Sequence, residues 1–110
     1  MYVSQGGQTI AVLGAGSFGS VIANMIAANG HDVHLWMRDE ISAQRVESER
    51  VNDRYLLGYR LQPNLRISSC LISCLKDADT VFFSVPSGAL KSLTERVSRV
   101  LKTGAVVIST

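Results

Sequence analysis

The chain has 110 residues, a formal net charge of +2 and an apolar fraction of 46%, which suits one domain with its own core and is too short for two. A nearly balanced charge without long like-charged runs argues against nucleic acid or a membrane surface as a partner, and no apolar stretch approaches the roughly 20 residues of a membrane span. Before Arg38 the only charged side chain is Asp32, so the positive region of a secretory signal is missing and a cytoplasmic location is expected.

Residues 1–8 are polar and glycine-containing and are expected to fray; residues 9–110 are expected to form the domain. Thr9 to Leu13 is an apolar run stopped by Gly14, as for a strand buried on both faces of a parallel sheet. Ser17 to Asn29 reads as a helix, with Phe18, Val21, Ile22, Met25 and Ile26 at helical spacing and Asn29-Gly30 as its C-cap. Val33 to Met37 alternates as a second strand, and Ile41 to Arg50 is a charged helix. Val51 to Asn64, with Gly58 and Pro63, reads as an irregular connection. Leu65 to Ile67 is a short third strand, and Ile72 to Leu75 a helical turn. Val81 to Val85 is a strand stopped by Pro86. Leu90, Leu93, Val97, Val100 and Leu101 mark a helix closing at Gly104, and Ala105 to Ile108 is the last strand. Strands alternating with helices predict parallel βαβ units in a doubly wound α/β sheet.

The chemistry sits in Gly14-Ala15-Gly16-Ser17-Phe18-Gly19. A G-x-G-x-x-G alone is weak, but this one follows a buried strand and opens a helix, the context of a dinucleotide-binding Rossmann-type domain. Gly14 permits the tight turn, Gly16 lets the backbone approach a pyrophosphate, and Gly19 lets the helix pack close to the strand. The helix N-terminus offers its unpaired N–H groups to the phosphates. A P-loop is excluded, because no Lys follows the second glycine. The second strand ends at Arg38-Asp39. In this fold an Arg there suits the 2′-phosphate of NADP, whereas Asp39 could hold the ribose of NAD; both remain open as readings, with NADP the sharper. Val85-Pro86-Ser87 ends another strand and either lines the cofactor crevice or only starts a helix. Cys70 and Cys74 fit no metal pattern and read as free thiols. His31 reads as a favourable charge at a helix C-terminus and His34 as strand packing.

Taken together, the glycine motif through Ser20, the run from Asn29 to Asp39, the segment Asn52-Asp53-Arg54-Tyr55-Leu56-Leu57-Gly58, and Asp79 through Val85-Pro86-Ser87 resemble the N-terminal half of bacterial NAD(P)-dependent glycerol-3-phosphate dehydrogenase. The resemblance runs in order from Thr9 to Thr110. It implies cofactor contacts at Ser17 and Phe18 beside the pyrophosphate, at Arg38 beside the adenosine and, more weakly, at Tyr55. Gly14, Gly16, Gly19 and Pro86 complete the expected cofactor-binding set, with no catalytic residue and no metal ligand. It also implies interconversion of dihydroxyacetone phosphate and sn-glycerol 3-phosphate for phospholipid synthesis. The family usually has Pro where this chain has Leu57. It continues past the last strand with a Lys-Gly pair and a helical substrate domain, neither of which is expected within these residues. Two rivals stay in view, another two-domain NADP reductase of keto or hydroxy acids and a nucleotide-binding module without chemistry.

Overall fold

The structure is a computed structural model that describes residues 8–52 and 60–109, apart from the side chains of Ser17 and Ser87. Five strands and four helices alternate: β1 (Thr9–Leu13), α1 (Ser17–Ala28), β2 (Asp32–Trp36), α2 (Glu40–Glu49), β3 (Leu65–Ser68), α3 (Leu71–Leu75), β4 (Thr80–Phe83), α4 (Ser87–Ser98) and β5 (Val106–Ser109). Every pairing is parallel and the strand order is β3-β2-β1-β4-β5. The chain therefore winds outward from β1 through β2 to β3, then crosses back to β4 on the other side. The strand order reverses between β1 and β4, and a crevice opens at the C-terminal ends of strands at such a point.

The period-two geometry of a strand explains why β1 is apolar from Ile10 to Leu13. Ile10 and Val12 join the core formed with α1 and α2, whereas Ala11 and Leu13 join the core formed with α3 and α4. On the second face Leu71, Leu75, Leu93 and Val97 seal the sheet.

Three expectations need correction. In α1 the residues that meet the sheet are small: Gly19, Ser20, Ala23 and Ala27 are buried and Ile22 and Ile26 flank them, while Phe18, Val21 and Met25 are exposed. Small side chains let the helix sit close over the sheet, so of the bulky apolar stripe only Ile22 and Ile26 reach the core, while Phe18, Val21 and Met25 face away. The last helix stops at Ser98 rather than at Gly104. Val100 and Leu101 still donate to the Val97 carbonyl, and Gly104, at φ +88°, turns the chain into β5. Gln8 is tied down, since its N–H donates to His31 Nδ1 (3.1 Å) and its carbonyl accepts from Asp32 N (3.0 Å). The His31 ring therefore serves as an acceptor there.

At the edge opposite the crevice, Asp79 fastens three strand starts. Its carboxylate accepts from Thr9 N (2.9 Å) and from Lys102 Nζ (2.6 Å), and its carbonyl accepts from Val106 N. The Lys102 bond, followed by the Thr9 bond, holds this carboxyl below the ordinary value of 3.8.

Candidate functional site

The three glycines of the β1–α1 turn are required for different reasons. Gly14 has φ +112°, and a Cβ placed on it would lie 2.1 Å from the Ser84 carbonyl oxygen. A Cβ on Gly19 would lie 2.0 Å from the Gly14 carbonyl oxygen. Both are therefore demanded by the fold: one conformation is open to glycine, and both contacts are backbone against backbone. Gly16 differs, because its φ of −70° and ψ of −172° suit any residue and a Cβ there meets nothing within 4 Å. The space above Gly16 is open.

The turn is held from beneath. Ser20 Oγ donates to the Ala15 carbonyl (3.0 Å), and Asn52 Nδ2 donates to Ser20 Oγ (2.9 Å) and to the same carbonyl (3.3 Å). Ser20 and Asn52 are buried polar residues satisfied by this network. It fixes the carbonyl on the inner side of the turn. The ladder of α1 begins with Ser20 N donating to Gly16 O, so the N–H groups of Ser17, Phe18 and Gly19 precede the helix's own bonds. No side chain caps this end and no acidic residue stands in its first turn. α2 contrasts with it: Asp39 caps that helix, accepting from both Ser42 N (2.8 Å) and Ser42 Oγ (2.6 Å). These two bonds, the hydroxyl one foremost, pull the Asp39 carboxyl below its ordinary value and keep it charged.

Over the turn lies a cleft of two lobes. The larger, about 300 Å³, runs from Gly14, Ala15 and Gly16 past Trp36 and Arg38 to Ser84, Val85 and Pro86, and is walled by Ala89, Ser92, Leu93 and Arg96 of α4. The smaller, about 220 Å³, shares Ala15, Gly16 and Arg38 and continues to Met37, Asp39, Ser42, Arg45 and Asn52. Arg38 stands where the lobes join. The buried Trp36 ring is fixed by its Nε1–H, which donates to the Ser69 carbonyl (2.9 Å), and the Arg96 guanidinium lies 5.8 Å from the ring centroid. A flat apolar wall and a charged lobe, joined across an uncapped helix end, can take a flat base, a diphosphate and a further anionic group.

The sequence profile described as NAD-dependent glycerol-3-phosphate dehydrogenase N-terminus matches residues 9–110. This chain belongs to that family. The family chain is 50% identical over 101 residues to a glycerol-3-phosphate dehydrogenase [NAD(P)+] of Teredinibacter turnerae, covering 92% of this chain and 30% of the relative. It is 43% identical over 102 residues to the protein of that name from Saccharophagus degradans, covering 93% and 28%. Among solved structures, glycerol-3-phosphate dehydrogenase from Coxiella burnetii superposes with a TM-score of 0.89 at 28% identity, covering 94% of this chain and 32% of that one. The chain thus spans about 30% of the length of the curated relatives it matches.

Of the residues expected at the site in this family domain, Gly14, Gly16, Arg38 and Pro86 line the cleft. Ser17 begins α1, and its side chain is outside the described set. Gly19 is buried beneath the turn. Phe18 is 59% exposed and lines neither lobe. Tyr55 and the Leu57 departure lie outside the described residues. Asp39, the sequence's alternative ribose ligand, lines the smaller lobe and also caps α2 through its Oδ2. Val85-Pro86 serves both readings, lining the cleft and starting α4 with Pro86 as its N-cap. Sequence reasoning missed Asn52 as a support of the turn, Arg45 in the smaller lobe, and Ser92 and Arg96 on α4. Asn52 was visible only as part of a segment carrying the resemblance, with no structural role, and Arg45 as one charge among many on a polar helix.

Proposed function

We propose that this chain is the cofactor-binding part of an oxidoreductase that interconverts dihydroxyacetone phosphate and sn-glycerol 3-phosphate, with NADPH as the preferred cofactor. The single observation that carries the proposal is the uncapped N-terminus of α1 beneath the open space at Gly16, set where the strand order reverses. The relatives' name supplies glycerol 3-phosphate, and two-electron oxidation of its secondary alcohol gives dihydroxyacetone phosphate. The residues fit the cofactor: the first N–H groups of α1 would receive the pyrophosphate, Gly16 would leave room for it, and the larger lobe would take the base between Val85-Pro86 and α4. Arg38 would meet the 2′-phosphate that distinguishes NADP, while Asp39 caps α2 through its Oδ2. When bound, the cofactor would supply hydride to the carbonyl carbon. The residues of this chain bind and orient it. Proton delivery to the resulting alkoxide requires an acid, and the described residues lining the larger lobe include no carboxylic acid, histidine, lysine, tyrosine or cysteine. We assign the acid and the grip on the phosphorylated three-carbon substrate to segments of the whole enzyme other than this domain. A role in glycerophospholipid synthesis follows from that reaction. The free thiols Cys70 and Cys74 suit a cytoplasmic setting, and no described helix is long and apolar enough to cross a membrane.

The test is a pair of measurements on these 110 residues. NADPH fluorescence titration should saturate, and NADPH oxidation should show no dependence on added dihydroxyacetone phosphate. Absence of binding would remove the cofactor role; substrate-dependent turnover would remove the division of labour.

A further inference from the structure

We propose that Arg45, on α2, is a second residue that sets cofactor choice, reaching the 2′-phosphate from the smaller lobe opposite Arg38. The inference rests on reading the cleft as a dinucleotide site and goes on to say which of its walls reads the extra phosphate. The two lobes differ in chemistry. The larger is faced by Trp36, Val85, Pro86 and Leu93, surfaces that suit a flat base. The smaller brings the guanidinium-bearing residues Arg38 and Arg45 around one space, with Ser42 and Asp39 beside them. Because both lobes share Gly16 and Arg38, a ligand lying across the turn reaches both.

Arg45 is available to a ligand. It stands 3.7 Å from Glu49 with both side chains about half exposed, and such surface pairs hold weakly. A phosphate monoester carries close to two negative charges near neutral pH, and a guanidinium can grip it with paired N–H bonds that a point-charge ammonium cannot reproduce. The opposing charge is Asp39, whose Oδ2 already receives both Ser42 donors. Among the residues lining the lobe two cations face one anion, with Glu49 beside Arg45 but outside the lining; that lining favours a dianion and gives the uncharged ribose hydroxyl of NADH nothing comparable.

The experiment measures Kd for NADPH and NADH by fluorescence on the unmodified chain and on Arg45→Ala, Arg45→Lys and Asp39→Asn. Arg45→Ala should lower the preference for NADPH about fivefold while leaving NADH unchanged. Arg45→Lys should retain part of it. Asp39→Asn keeps a competent cap and removes the repulsion, so it should raise the preference; a merely structural role for α2 would move both cofactors together. The proposal is overturned if Arg45→Ala leaves the ratio of the two constants unchanged while both cofactors bind. If the unmodified chain binds neither cofactor, the dinucleotide reading of the cleft falls, and this proposal with it.

Discussion

Replacing Gly16 with valine separates ligand binding from folding more cleanly than any other change in the turn. The backbone there is extended at φ −70° and ψ −172°, and an added Cβ touches nothing within 4 Å. A β-branched residue accepts that conformation, and loss of glycine's freedom in the unfolded chain should stabilise the domain by about 0.4–1 kcal/mol. The same branched side chain fills the space through which a pyrophosphate must come to reach the N–H groups of α1. Hydrogen bonds to a charged group contribute roughly 1.5–3 kcal/mol each, so displacing the phosphate from even one donor should weaken NADPH by about 10- to 150-fold. Alanine at Gly14 or Gly19 should do the reverse, because the Cβ would lie 2.1 Å and 2.0 Å from backbone oxygens. Those variants should lose on the order of 3 kcal/mol of stability. Urea melts paired with NADPH titrations check all three. A folded Gly16→Val chain with unchanged affinity, or a Gly14→Ala chain as stable as the parent, would refute the reasoning.

Three further outcomes follow from the same geometry. Arg38→Ala should weaken NADPH about tenfold and NADH little, with the difference shrinking as salt is added; equal loss for both cofactors in paired titrations would place Arg38 elsewhere. Asn52→Ala should cost about 1–3 kcal/mol, and Asn52→Asp more, because a buried carboxylate has no hydrogen to give the Ala15 carbonyl; urea melts rank the two, and NADPH affinity should fall in both as the turn loosens. Asp79→Asn should cost about 1 kcal/mol near neutrality, given the half-exposed site, without touching cofactor affinity. Since the folded carboxyl titrates below 3.8, its contribution is fully present well above that pH and disappears as pH falls through the folded value; a pH series of melting temperatures should show the parent losing its advantage over Asp79→Asn progressively as pH falls toward and past 3.8.

What could be read from the residues was whatever local geometry decides. β1 had to be apolar from Ile10 to Leu13 because both its faces are covered, and the order of strand, glycine turn and helix announced the site, with Gly19 answering to the Gly14 carbonyl, Gly14 to the Ser84 carbonyl and Gly16 facing open space. The sheet-facing side of α1 was misread for a physical reason. Hydrophobic periodicity follows the largest apolar side chains, whereas close packing over a sheet selects the smallest, so Ala23 and Ala27 lie inward while Phe18 and Met25 remain exposed. Asn52 could not be picked out because its partners Ser20 and Ala15 lie more than 30 positions away. Arg96 and Ser92 enter the cleft only because the chain crosses back to lay β4 beside β1. Asp39 was legible as a candidate ribose ligand at its place in the sequence; its further role as the α2 cap depends on Ser42, three residues on.

The most direct test of the central claim is an amide NMR titration of the ¹⁵N-labelled 110-residue chain with NADPH. The account predicts the largest shifts at the N–H groups of Gly16, Ser17, Phe18 and Gly19, with smaller ones at Arg38, Val85, Ala89 and Arg96 around the cleft. Shifts centred instead on the groove between α2 and β3, near Glu47, Ile67 and Cys70, or no shifts at saturating cofactor, would contradict it.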